Sequence, residues 1–203
     1  GNIFIFRLSN PDEALNALLE DTDPATWIKF QNPSTEITTQ EREKVCYHIG
    51  VKSANALLSV FLDDYDTAEK ISGSIKDAAD KLNIKSENIE TIAKKLVEDL
   101  DEKDETKKRT KVKQTLNILK DEVIEALNNI GNKAEAVMIE YGAWIEAVRQ
   151  TSHIILEDYS VKTASALQRK GEAEYFKANF GSFNLHTPKG EYKELLDATS
   201  RIL

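Results

Sequence analysis

The chain of 203 residues has little of what punctuates structure and little of what carries most catalysis: 8 glycines, 4 prolines, 3 histidines and one cysteine. Between Ser74 and Ile130 there is neither glycine nor proline, so nothing interrupts helix across that span. The single cysteine, Cys46, cannot form an intrachain disulfide, and stability has to come from packing. An unpaired thiol leans toward a reducing, cytoplasmic compartment, and nothing else in the chain points to a location. No run approaches the roughly 18 apolar residues of a membrane-spanning helix, and no basic-then-apolar leader opens the chain. Gly1 stands where a translation product would carry Met, which leaves an earlier processing step compatible with the sequence.

The same scarcity excludes most recognisable chemistry. His48, His153 and His186 fit neither H-x-x-x-H nor H-E-x-x-H, so the zinc-binding helix pattern is absent. Cys46 and His48 are two apart on an expected helix and face different ways, which argues against a thiol–imidazole pair. The acidic run "DDYD", Asp63 to Asp66, has Ala68 at the third calcium-ligand position and no glycine for the sharp turn, so it reads as a solvated helix-end loop. The glycines do not gather into a phosphate loop, and no G-x-S-x-G elbow occurs. The expectation is a protein that is not an enzyme, with no catalytic residue, no metal, no cofactor and no evident small-molecule site. A formal charge of −8 further disfavours wholesale contact with nucleic acid or anionic membrane.

What is present is helix-forming sequence. Hydrophobic content of 40% beside 31% charged residues is that of a folded globular chain. "SNPDEALNALLE" opens a helix by ordinary capping chemistry, with Pro11 in the first turn and Asp12 and Glu13 at the positive end of the dipole. Asp23-Pro24 repeats the device. Thr38 with Glu41 reads as a capping box for "TQEREKVCYHI", Gly50 as its stop, and "VKSANALLSVFLDDY" as a second, strongly apolar helix. The N-terminal third is thus expected to be a cap of short helices.

Further along, Val112, Leu116, Leu119, Val123, Ala126 and Ile130 step by four and three, as do Ala134, Val137, Tyr141, Trp144, Val148, Thr151 and Ile155. Gly131-Asn132 separates these two seams, which predicts a long antiparallel helical hairpin whose aromatic residues belong to the core. Extra apolar residues at Ile124, Leu127, Ile139, Ile145 and Ile154 widen the stripes, so further helices must pack on the hairpin. The fold class is mainly α: a helical bundle around that hairpin. Its parts are residues 1–66 as a short-helix cap, 67–170 as bundle and hairpin, and 171–203 as an aromatic segment with a docking helix, together one compact unit.

Two features bear on function. "KDAADKLNIKSENIETIAKKL", Lys76 to Leu96, carries a heptad pattern that favours one helix, yet Ile84 would then lie on the uncovered face. A turn at Asn83 to Lys85, with Ser86 capping the next helix, folds Ile84 inward. Broken so, the stretch looks like the helix-turn-helix of DNA-binding domains, a resemblance of about twenty residues. That resemblance implies base contacts from the start of the second helix, where this chain has Ser86, Glu87, Asn88, Glu90 and Thr91. Two carboxylates there make a poor surface for phosphate. The second feature is "NIFIFRL" at the start, the clearest strand candidate, with "SFNLH", Ser182 to His186, as its potential partner. Ile3, Phe4, Ile5 and Phe6 with Phe180, Phe183 and Leu185 are therefore the expected contact residues of a protein–protein interaction or assembly protein, binding itself or a different partner. Helix-turn-helix DNA binding through residues 76–96 is the alternative, and a secreted helical effector or toxin component the third reading.

Overall fold

The computed structural model describes residues 8–164, 170–186 and 190–201, and among these there are helices and no strands. The order is α1 (Pro11–Leu18), a 3-10 segment (Pro24–Phe30), α2 (Arg42–Phe61), α3 (Tyr65–Lys81), α4 (Glu87–Leu100), α5 (Glu105–Asn129), α6 (Lys133–Glu157), α7 (Val161–Ala164), α8 (Lys170–His186) and α9 (Gly190–Ser200). The hairpin is α5 and α6, each of 25 residues. Val112, Leu116, Leu119 and Val123 of the first seam and Val137, Tyr141, Trp144, Thr151 and Ile155 of the second are buried. Ile130 is not: it is 61% exposed, because α5 ends at Asn129 and the last turn instead buries Leu127.

The most extensive interface is not within the hairpin but between α2 and α6. Gly50 does not stop a helix, and α2 runs through it for 20 residues. Its role is contact: a methyl placed there would collide with the carbonyl oxygen of Ile139 and sit 2.6 Å from the amide of Ala143. Gly142 does the same from the other side, against the backbone of Tyr47, with Val51 N 3.1 Å away. Each helix thus presses its glycine against the other's backbone. Arg42 with Glu135 and Asn55 with Gln150 also face each other, so the two helices run parallel with a nearly constant offset. The supposed capping box of Thr38 and Glu41 does not form either. Glu41 occupies the N-cap of α2 without a side-chain bond, and the residues before it run without helix or strand.

Helix ends follow one device used three times. After α2, α3 and α5 the chain takes a left-handed residue, Asp63 (φ 57°), Asn83 (φ 59°) and Gly131 (φ 82°). In each case the next amide reaches back five residues: Asp64 N to Ser59 O at 2.9 Å, Ile84 N to Ala79 O at 3.0 Å, and Asn132 N to Leu127 O at 2.9 Å. The stretch Lys76 to Leu96 is therefore broken as the turn residues predict, with Ile84 3% exposed and Ser86 Oγ accepting from Asn88 N at 3.2 Å. Of the proposed strand pair, Ser182 to His186 is the last turn and a half of α8, since five residues continuous with an aromatic helix gain more from helical bonds than from a single partner strand. Residues 2–7 lie outside the described part, as do Thr187 and Pro188.

The main core takes side chains from α2 to α6 and from α8, with Leu195 and Leu196 of α9 packed partly against it. A second, smaller core joins Leu15 and Leu18 of α1, Trp27 of the 3-10 segment, Leu58 and Phe61 of α2, and Ile154 and Ile155 of α6.

Glycine substitutions separate contact from propensity. Gly50→Ala and Gly142→Ala should each cost about 3 kcal/mol or more, since backbone rather than a movable side chain is in the way. Gly73→Ala, in α3 with nothing within 4 Å of a new methyl, should instead stabilise by about 0.5–1 kcal/mol. Urea unfolding of the three variants measures both signs.

Candidate functional site

The residues best suited to chemistry are engaged in structure. Cys46 is fully buried on α2, and burial first, then the charge of Glu135, pushes its thiol up to about 12. His48, half-buried two residues on, is pushed down by burial and by Lys52. Its ring meets Tyr47 edge-on at 5.4 Å and is not directed at a thiol. His153 is exposed and stacks on Phe30 at 5.3 Å. Among the described residues no group of three or more His, Cys, Asp or Glu side chains could hold a metal ion. Asp64 of the acidic run caps α3, accepting from Thr67 N at 3.2 Å and from Gln31 Nε2 at 2.8 Å. Arg109 pairs with Asp63 at 2.5 Å across the molecule and not with Glu105 along its own helix, because the turn after α2 brings Asp63 to it.

Lys52 is a different case, a lysine 4% exposed in the middle of α2. Its ammonium donates to the Ser34 carbonyl, tying the non-helical segment before α2 onto the bundle. Burial lowers its pKa, with Glu146 and Glu36 opposing. This is a strap fastening.

Two of the cavities among the described residues are large enough for a small molecule. One of about 380 Å³ lies between Thr35–Gln40 and α3, bounded by Arg42, Ser74, Asp77 and Lys81. The other, of about 610 Å³, is formed by Leu8 to Asn10, by Lys120, Asp121, Ile124, Glu125 and Asn128 of α5, by Glu140, Ala143 and Trp144 of α6, and by Tyr175 of α8. There Tyr175 Oη donates to Glu140 Oε2 at 2.8 Å. Burial raises the Glu140 carboxyl, opposed by the Tyr175 bond, and Tyr175 is itself raised, by burial first. Nothing in the sequence pattern pointed to this cavity, because its walls come from four segments distant in the chain and none carries a motif.

Carboxylates gather on the surface proposed for DNA, with Glu90 paired to Lys76 of α3 at 3.0 Å. Ser86 Oγ donates to Glu122 Oε1 at 2.9 Å, and Asn88 Nδ2 donates to the same oxygen at 3.1 Å, so α5 adds a third carboxylate to Glu87 and Glu90 at the start of α4. Of the expected contact residues, Phe180 is fully buried, its ring edge-on to Tyr141 at 4.9 Å, and Phe183 packs partly against the main core. Leu185 lies in α8 with its side chain outside the described part, as are Ile3, Phe4, Ile5 and Phe6 altogether.

Large apolar side chains are exposed elsewhere. Leu19 is 37%, Ile28 64%, Leu156 76% and Tyr159 71% exposed. Leu19, Ile28 and Leu156 each directly follow a residue of the second core, Leu18, Trp27 and Ile155, so one small core carries an apolar rim on its outside. Ion pairs border it: Lys29 with Glu157, and Lys162 with Asp21 at 3.1 Å. No helix among the described residues is long and apolar enough to cross a membrane. The chain matches no known protein family, and no curated protein or solved structure is significantly similar to it.

Cys46 reports on the fold. Because the folded state holds the thiol proton more tightly than the unfolded chain, its contribution to stability is complete below the ordinary thiol value of 9.0 and is lost as pH rises through about 12. Disulfide-exchange reagents at pH 8 should accordingly label native protein only as fast as it opens. Labelling at the rate of a free thiol without denaturant would show that this helix face is accessible.

Proposed function

We propose that the protein works by binding another protein through the apolar rim around its second core, and that it performs no chemistry of its own. The observation carrying this reading is the rim itself: four large side chains exposed where three separate segments converge, bordered by ion pairs. Interfaces are commonly built with such an apolar centre and polar edge. The engagement of Cys46, His48 and Lys52 in packing, a neighbouring ring and the strap supports the same reading. A nucleic-acid role through α3 and α4 has the left-handed turn at Asn83 in its favour, and Glu87 and Glu122 around the start of α4 against it.

Leu156→Ser combined with Tyr159→Ser is the direct test. Both side chains are exposed, so stability should change by no more than about 0.5 kcal/mol each. Binding to the physiological partner, or self-association read by sedimentation, should weaken at least tenfold if these are central contacts. Unchanged association by a folded double variant would remove the rim as the contact surface. Salt-sensitive binding of a genomic DNA pool by the same variant would favour the helix-turn-helix reading instead.

A further inference from the structure

In the lining of the larger cavity carboxylates outnumber cations by three to one. Its charged lining is Lys120, Asp121, Glu125 and Glu140. Lys120 is matched from within, its ammonium lying 3.4 Å from Asp121 Oδ1 and 3.2 Å from Asn10 Oδ1, with the side chain 8% exposed. Removing that pair leaves Glu125 and Glu140, neither of which forms an ion pair among the described residues. Glu140 has the phenol of Tyr175 for its hydrogen-bond partner, a neutral donor, with Lys120 and Lys133 acting on it only through space. Trp144, another wall of the cavity, is 7% exposed, and its indole N–H has no acceptor.

Each feature narrows the ligand. Two unpaired carboxylates disfavour an anion, and the one lysine is already occupied. A metal ion needs several ligands converging on one point, and the described residues offer no such cluster. Indole and phenol rings beside a carboxylate suit an ammonium group carried on an apolar body, which gains from the carboxylate and from the aromatic wall. A volume of about 610 Å³ is that of a site for a small organic molecule and much larger than a bare ammonium requires. We propose that this cavity binds a small organic amine with an apolar body, with Glu140 as counter-ion, Trp144 and Tyr175 as walls and Glu125 at the mouth.

The proposal is independent of the apolar rim and is tested without a protein partner. Calorimetric titration of the full chain with 2-phenylethylamine and hexylamine should show saturable one-site binding. The neutral 2-phenylethanol and the anionic phenylacetate should show none at the same concentrations. In a Trp27→Phe background the remaining indole, Trp144, should change its fluorescence with the same saturation curve. Glu140→Gln should weaken the amines at least tenfold. Glu125 is exposed, so Glu125→Gln retains the fold even if the Glu140 variant does not, and it should lower affinity about two- to fivefold, the size of a partly screened charge contact. Failure of both amines to saturate overturns the proposal. So does binding of the alcohol or the acid as tightly as the amines, or wild-type amine affinity in folded Glu140→Gln or in Glu125→Gln.

Discussion

The rest of the bundle depends on a contact between two backbones. At Gly50 and Gly142 the helices α2 and α6 approach until a methyl group on either would strike the other's main chain. Two glycines in helix interiors weaken each helix by about 1 kcal/mol relative to alanine. Their retention at one crossing makes sense only through what closeness brings: a long parallel interface holding most of the large side chains of α6 at van der Waals distance. The hairpin partner α5 then packs onto a pair already fixed, and α3, α1 and α8 complete its sides.

Closeness alone would let two apolar helices slide, and the polar groups along α2 and α6 restrict that freedom. At one end Arg42 grips Glu135 with two bonds of 2.7 and 2.9 Å and reaches the Leu82 carbonyl at 3.0 Å, joining the starts of α2 and α6 to the end of α3. Further along, Asn55 and Gln150, both fully buried, stand within 3.5 Å of each other. A shift by one turn would separate both pairs and leave the buried amides of Asn55 and Gln150 without each other, at about 1–3 kcal/mol. Packing thus supplies attraction and the polar pairs supply register. The second core, at the far end of the same interface, forms only where that register places Leu58 and Phe61 beside Ile154 and Ile155.

How much of this was legible follows from the range of the interaction involved. Signals acting within a few residues could be read directly: Pro11 in the first turn of α1, Asp23 before the 3-10 segment, Asn83 and Gly131 in left-handed positions, and the four-and-three spacing of the hairpin seams. Ile84 was decisive, because no continuous helix could cover it. Gly50 was misread, since a glycine that ends a helix and one that admits another backbone look identical until the other backbone is in place. Ile130 continued a seam in sequence beyond the point where the helix ended in space. The aromatic end of α8 has strand-like composition, but neighbouring helical turns override that preference. The larger cavity was illegible for the same reason as Gly50: four segments define it, and each alone is an ordinary piece of helix or helix start.

The distribution of polar groups separates what the protein uses for folding from what it leaves available. Thiol, imidazole and buried amine are committed to core, ring contact and strap, and burial has moved Cys46, His48 and Lys52 toward their neutral forms. For Cys46 this removes the thiolate that a nucleophile needs, whereas for His48 and Lys52 it is the ring contact and the strap bond, not the neutral form, that engage the side chain. Glu140 is moved in the same direction but differs in position, since it faces a space and not a packed wall. A buried carboxyl inside a closed core could be replaced by an apolar residue with little loss or some gain in stability. One lining an open cavity, with a phenol as its hydrogen-bond partner and no direct ion pair, keeps much of its cost while adding little to packing, and that asymmetry is what a binding role for the cavity accounts for.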